Sequence, residues 1–426
     1  MIWKIGQLVR EIATSPTTRV FGIFASTNMV STILGGFAGL LQARWIDPAI
    51  MGRFNKYTII TGYVGIFLIF VADGLTRQYP YLVGKGAHED AMKVASVAKF
   101  WYLLVANVAI FFFCLMSISS IIRGDWYGVV GWGAQIFVIL QLTYGAYLQT
   151  MYRRTLEFKQ LSYNGLAVSV ASVIFVALPK YFGFWGMAIR HVMCSIVRVW
   201  VDRRYVPVKV KAVWDRATFC NLARISIPLS LVGYIRTSFI TATFGFMVLR
   251  YCGEEKLGLY GVAAAFAAMA QTFVNSLWQI FNVKMTQRFG KDDSIAGTAK
   301  SLMRPTIFAV GVAVGCALIL CVAIKPFVCY FVPKYVDSIP IVYVLSAGMI
   351  LTALRLPTEV LRTALEYKLV YAVAIAKVVV VVGLMFIGPK TILWFAACSM
   401  FGIVSDVALG YSFLFRVIAK EHKQHL

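Results

Sequence analysis

Acidic residues are scarce in this sequence: 18 Asp and Glu stand against 41 Lys and Arg in 426 residues. Charged residues of both signs make up only 14% of the chain, where a soluble protein carries about 25%. That shortage excludes a soluble globular domain and a disordered, highly charged chain. The eight cysteines include no CxxC pair, and only Cys220 and Cys252 fall in polar stretches. A disulfide framework and a zinc site are therefore not expected, and the cysteines read as small apolar fillers. The four histidines are His88, His191, His422 and His425, and no P-loop, HExxH or nucleophile motif is present. No catalytic residue, metal or cofactor is expected, the chain is not read as an enzyme, and ATP hydrolysis by it is not its energy source.

What the chain has in abundance is apolar surface. Hydrophobic residues make up 60% of it and the mean hydropathy is +0.76. With about 20 apolar residues per span, this supplies about twelve transmembrane helices. Charge-free runs cover 20–43, 100–122, 126–152, 160–179, 257–283, 305–324 and 338–354. Five more, 57–76, 181–201, 225–249, 369–389 and 391–415, contain or end at one to three charged or titratable residues. Runs this long are helices rather than the alternating segments of a barrel. The expected fold is all-α and integral to the membrane. The first run is too long for a cleaved signal peptide and reads as an uncleaved first helix.

Net charge of +23 would point to nucleic acid in a soluble protein. Here it follows from orientation, because cytoplasmic loops collect Lys and Arg. With the N-terminus inside, 28 of the 41 basic residues fall in cytoplasmic segments, 10 outside and three within spans. Both termini are expected in the cytoplasm, and no nucleic acid partner is expected. The polar stretch 202–216 cuts the helices six and six. The expected division is a bundle at 1–201, a cytoplasmic linker at 202–221 and a second bundle at 222–426.

The halves resemble each other. At an offset of 206, Gly39, Arg44, Trp45, Gly52, Phe54, Gly84 and Lys85 fall on Gly245, Arg250, Tyr251, Gly258, Tyr260, Gly290 and Lys291. Parallel repeats of this kind occur in alternating-access transporters. The repeated stretch is expected outside the membrane, between the first and second helices of each half.

The stretch ARWIDPAIMGRFNKY after the first helix, with FVADGLTRQYPYLVG closing the second, resembles polysaccharide flippases of the multidrug/oligosaccharidyl-lipid/polysaccharide (MOP) superfamily, and Wzx-type O-antigen exporters in particular. Asp47 stands where family members commonly carry a glycine before Pro48. The resemblance implies a V-shaped, MATE-like pair of six-helix bundles in the bacterial inner membrane. Such a protein moves an undecaprenyl-diphosphate-linked oligosaccharide from the inner to the outer leaflet, with a proton or sodium ion as the candidate coupling partner. The competing readings are a multidrug/ion antiporter of the same superfamily and a polytopic glycosyltransferase or polymerase. The first helix lacks the acid that drug antiporters of the superfamily usually carry, and short outer loops argue against an enzyme. A lipid II flippase usually carries two further helices.

Charges at bilayer depth single out the candidate site. Lys377 and Asp406 lie roughly 14 and 15 Å from the cytoplasmic edge on consecutive helices, by 1.5 Å per residue. They are expected to pair with each other, with a cation site at Asp406 as the alternative. Arg190 and Arg236 lie near the midplane with no evident acid at their depth. Both are expected to face a wet cavity and to hold phosphate oxygens, which the guanidinium fork matches. Gln271, Asn275, Gln279 and Asn282 share one helix face and are candidates for sugar hydroxyls. Asp73 and Arg77, four residues apart, are expected to pair at a helix end, as a gate or coupling element.

Overall fold

The computed structural model describes residues 16–292, 295–364 and 366–424. Among these residues the chain is mostly helical, without strands, and its longer helices fall into twelve segments. In chain order they are α1 Pro16–Trp45, α2 Pro48–Gly84, α3 His88–Ile122, α4 Trp126–Arg154, α5 Phe158–Ile174 and α6 Ala177–Arg204. Then come α7 at 216–252, α8 at 254–292, α9 Ile295–Phe331, α10 Pro333–Ala353, α11 Tyr367–Ile387 and α12 Ile392–Gln424.

Eight helices among the described residues are long and apolar enough to cross a membrane, or nine if the bent pair α5–α6 counts as one span. The number is below the expected twelve because adjoining helices count together and α1 is not among those that qualify. α7 and α8 follow one another without an intervening loop and meet at a kink at Gly253, whose φ of 86° breaks the helix. α5 and α6 meet at 95°. Their junction is completed at Gly183 (φ 52°), a left-handed position that favours glycine.

The repeated element is helical, contrary to the loop expected there. Pro48, with its fixed φ and missing N–H, opens α2, and residues 254–260 open α8. Arg53 and Lys56 on α2 bond Glu254 at 2.9 and 2.6 Å. α2 then tightens into a 3-10 turn at Gly65–Phe70, whose Phe67 carbonyl accepts from the Trp101 indole at 2.7 Å.

The chain forms two compact units. One comprises Val64–Ile227 with residues up to Ala38, the other Gly39–Tyr63 with Pro228–Leu426. The division differs from the expected bundles at two places, because 39–63 joins the second unit and 202–227 the first. In the first unit the small residues Ala91, Ala95 and Ala98 of α3 bring it close to Leu75, Tyr147 and Met151. The expected linker is not a loose tether. Val206, Val208 and Val210 alternate onto this core, and Asp215 takes the N–H of Thr218 to start α7. The Thr218 hydroxyl and N–H hold Asp215 below the usual carboxylate range.

In the second unit α2 and α8 cross in direct backbone contact. A methyl group on Gly52 would land on the Glu254 carbonyl, and one on Gly258 on the Pro48 carbonyl. The crossing needs glycine at both places. Val274, Trp278, Ala313 and Met349 form one core of this unit, and Phe244, Val381, Met385 and Phe395 another.

From the charge bias we propose that residue 211 is cytoplasmic and the start of α8 outside. Reporter fusions at Lys211 and Glu255 should therefore give opposite topologies, and the same side for both would remove the assignment.

Candidate functional site

Within the second unit, α7 carries a π-helical turn at Ile235–Phe239 that contains Arg236. Such turns interrupt the i−4 ladder and gather at functional sites. The Arg236 guanidinium donates to Asp406 Oδ2 of α12 at 2.5 Å, and its carbonyl accepts from Lys377 Nζ of α11 at 3.3 Å. Asp406 is 7% exposed, and its Oδ1 is buried without a hydrogen-bond partner. Gly402 leaves room for the Val381 side chain where α11 and α12 pack, with the Lys377 stem in ordinary contact beside it.

This geometry corrects two expectations. Asp406 pairs with Arg236 rather than with Lys377, and Arg236 does have an acid at its depth. Matching depths along consecutive helices had overlooked a partner 170 residues away. Lys377 stays within electrostatic range of both Asp406 and Arg236.

A further arginine joins them. Arg355, at the start of the short helix Leu356–Thr363, lies within electrostatic range of Arg236. It donates to Asn275 Oδ1 at 3.3 Å, sits 5.2 Å over the Trp278 ring and approaches Glu359 at 3.9 Å. Gln271 Nε2 donates to the same Asn275 oxygen at 3.5 Å. The sequence had hidden Arg355, because it falls one residue past an apolar run and reads as a loop cation. Three cations, Arg236, Arg355 and Lys377, thus meet two carboxylates, Asp406 and Glu359, leaving one positive charge in excess. From the amide end of this array Gln271 also lines a cavity of about 230 Å³ between α8, α10 and α12, with Tyr260, Thr352 and Ser399. The side chains of Gln279 and Asn282, like those of Gly290's neighbour Lys291 and of His422 and His425, lie outside the described residues.

The other candidates are placed elsewhere. Arg190 is in the first unit, 8% exposed, and donates to the Ser172 carbonyl at 3.3 Å and hydroxyl at 2.6 Å. It ties α6 to α5, which corrects the expectation that it faces a wet cavity. Ser172 is no acid, and a search for a matching carboxylate does not find it. Asp73 does not take Arg77 as expected. Its N–H donates to Ser226 Oγ at 3.1 Å and its carboxylate lies within range of Arg154, while Arg77 is exposed. The repeat-related Arg44 and Arg250 sit over the rings of Phe331 and Tyr251, at 5.0 and 6.0 Å. Among the described residues no group of three or more His, Cys, Asp or Glu could hold a metal.

This multi-pass, all-helical chain, with an ion cluster across three of its helices, shares its fold with solved structures. It is similar to the inward-facing conformation of a multidrug resistance MATE family transporter of the MOP superfamily, at 14% identity and a TM-score of 0.70, covering 94% of this chain and 99% of that one. It is similar to the lipid II flippase MurJ in an inward closed conformation, at 13% identity and a TM-score of 0.68, covering 92% and 87%. A third is a MOP superfamily transporter from Pyrococcus furiosus described as having a binding pocket of reverse polarity, at 13% identity and a TM-score of 0.65, covering 96% and 97%. No curated protein matches by sequence. The chain belongs to the polysaccharide biosynthesis protein family, whose model matches residues 41–293.

Proposed function

We propose that the protein is a flippase, carrying a polyprenyl-diphosphate-linked oligosaccharide from the inner to the outer leaflet of the bacterial inner membrane by alternating access. The observation that carries this reading is the excess positive charge at Arg236, Arg355 and Lys377, continuous through Asn275 and Gln271 with a cavity of amide and hydroxyl groups. Cations bind the diphosphate, and amides and hydroxyls bond sugar hydroxyls. Membership of a polysaccharide biosynthesis family and a fold shared with a lipid flippase support it. A cluster of net positive charge also repels the cationic drugs that the antiporter alternative requires. Asp406 Oδ1, buried and unbonded, is the place for a coupling proton or sodium ion.

A ligand drives a conformational exchange only through differential affinity for the two states. Lys377, bonded to a carbonyl and to no carboxylate, is the cation best able to turn to the headgroup in one state and away in the other. In a flippase-null cell, Lys377→Gln should lower glycan export about tenfold or more at unchanged membrane abundance, as loss of a charge-assisted hydrogen bond does. Lys377→Arg should keep part of the export. Full export by both Lys377→Gln and Arg355→Gln would remove the anionic headgroup from the reading.

A further inference from the structure

A concentration of cations in the first unit surrounds a cavity of about 490 Å³ at the end of α6. Its size lies in the range of small-molecule sites, roughly 300–1,000 Å³. Lys99 of α3, Arg203 and Arg204 of the last turn of α6, and Lys209 of the strap 205–215 line it, over a floor that includes Tyr144 and Tyr147. No Asp or Glu lines it. Among the described residues, none of Arg203, Arg204 and Lys209 has a carboxylate within ion-pair distance. Elsewhere in the same unit the basic side chains Lys93 and Arg198 do find acids, at Asp215 and Asp202.

The cavity is built rather than incidental. Lys99 Nζ donates to the Val210 carbonyl at 2.7 Å, fastening the strap across the helix ends. The alternation of the strap turns Val206, Val208 and Val210 onto the core and leaves Lys209 at the mouth, exposed. Tyr147 donates to the Ala95 carbonyl at 3.2 Å, which fixes the floor. Trp200, 64% exposed, stands at the rim, where the amphipathic indole suits a membrane interface. Loop orientation accounts for basic residues on this face, but not for four of them converging on one cavity with an aromatic floor. Four like charges around a cavity repel one another, and an anion with several acceptor oxygens relieves that repulsion.

We propose that this cavity is a phosphoryl-binding site, distinct from the cluster in the second unit and independent of the transport reading. The ligand is a phosphomonoester, carried by an anionic lipid headgroup or by a soluble molecule, with Arg203 and Arg204 as its principal donors. Arginine forks meet two phosphate oxygens at once, and Lys99 and Lys209 complete the cage.

The test uses the full chain in neutral detergent and native mass spectrometry, with dioctanoyl phosphatidic acid, dioctanoyl phosphatidylcholine and glycerol 3-phosphate as probes. Phosphatidic acid should bind saturably and phosphatidylcholine should not. The double variant Arg203→Gln/Arg204→Gln should weaken binding about tenfold or more. Lys211→Gln, which removes an exposed charge from the same strap outside the cavity, should leave it unchanged. Glycerol 3-phosphate binding with the same dependence on Arg203 and Arg204 identifies a soluble phosphomonoester as a ligand, whereas binding of phosphatidic acid alone identifies the lipid. Should the double variant fail to accumulate, Lys209→Gln carries the same comparison with Lys211→Gln. Equal binding of the two lipids, equal weakening by Lys211→Gln, or no binding of either phosphate probe overturns the site.

Discussion

Arg236→Met alone should strip the protein from the membrane, and Arg236→Met combined with Asp406→Leu should bring it back. The arginine and the aspartate bond at 2.5 Å, with side chains only 19% and 10% exposed. Removing one partner leaves a charge with no water to replace it. For a buried pair that loss is about 3–5 kcal/mol. Removing both leaves an apolar contact of similar volume, which is often neutral or better. The measurement is the amount of folded protein in the membrane for the two single variants and the double. Recovery in the double variant separates structural from transport roles, because export can then be read at normal abundance. Equal loss in single and double variants would show that the two groups do not act as a pair. Asp406→Asn adds a third comparison: normal abundance without export would assign the coupling ion to Asp406.

The second large effect is at the crossing of α2 and α8. Gly258→Ala and Gly52→Ala should each lower stability by about 3 kcal/mol, the upper end for an overpacked contact. The obstacle is a backbone carbonyl in both cases, so no side chain can turn aside to make room. Gly39→Ala provides the control, since nothing lies within 4 Å of a methyl group there. Thermal unfolding in detergent should rank Gly39→Ala with the wild type and the other two well below it. The two costly substitutions strain one contact, so together they should cost less than their sum. A Gly258→Ala protein as stable as the wild type would mean that the crossing opens without penalty.

The helices were legible because the bilayer demands them: each apolar run of the sequence reappears as a segment from α1 to α12. The stretch 45–56 was not, because Arg53, Asn55 and Lys56 look like a polar loop. Glu254, about 200 residues on, supplies the partners that let it be a helix. Intramembrane charge pointed to Arg236, Lys377 and Asp406 because a charge at that depth needs a reason. It could not assign their partners, since depth is measured along one helix and pairing depends on which helices are neighbours. Arg190 shows the same limit from the other side, its requirement being met by a serine hydroxyl and a carbonyl. The valines of the strap were readable as an alternation over 206–210, a signal masked by the surrounding Lys and Arg.

The crossing of α2 and α8 has a symmetry of its own. Pro48 and Glu254 are separated by 206 positions, as are Gly52 and Gly258, and each glycine meets the carbonyl of the other's counterpart. A contact related to itself by a two-fold axis needs only one kind of chain to form it. A half-length chain with one such glycine would hold both sides of the contact, so joining two copies would need no new surface here. Within a single chain the two sides need not match. Asn55 and Gly261, again 206 apart, now face one another, and the position of a methyl group on Gly261 is 2.7 Å from the Asn55 amide nitrogen. In a dimer of identical chains the same residue would have met itself on the axis; a single chain can set a large side chain against none.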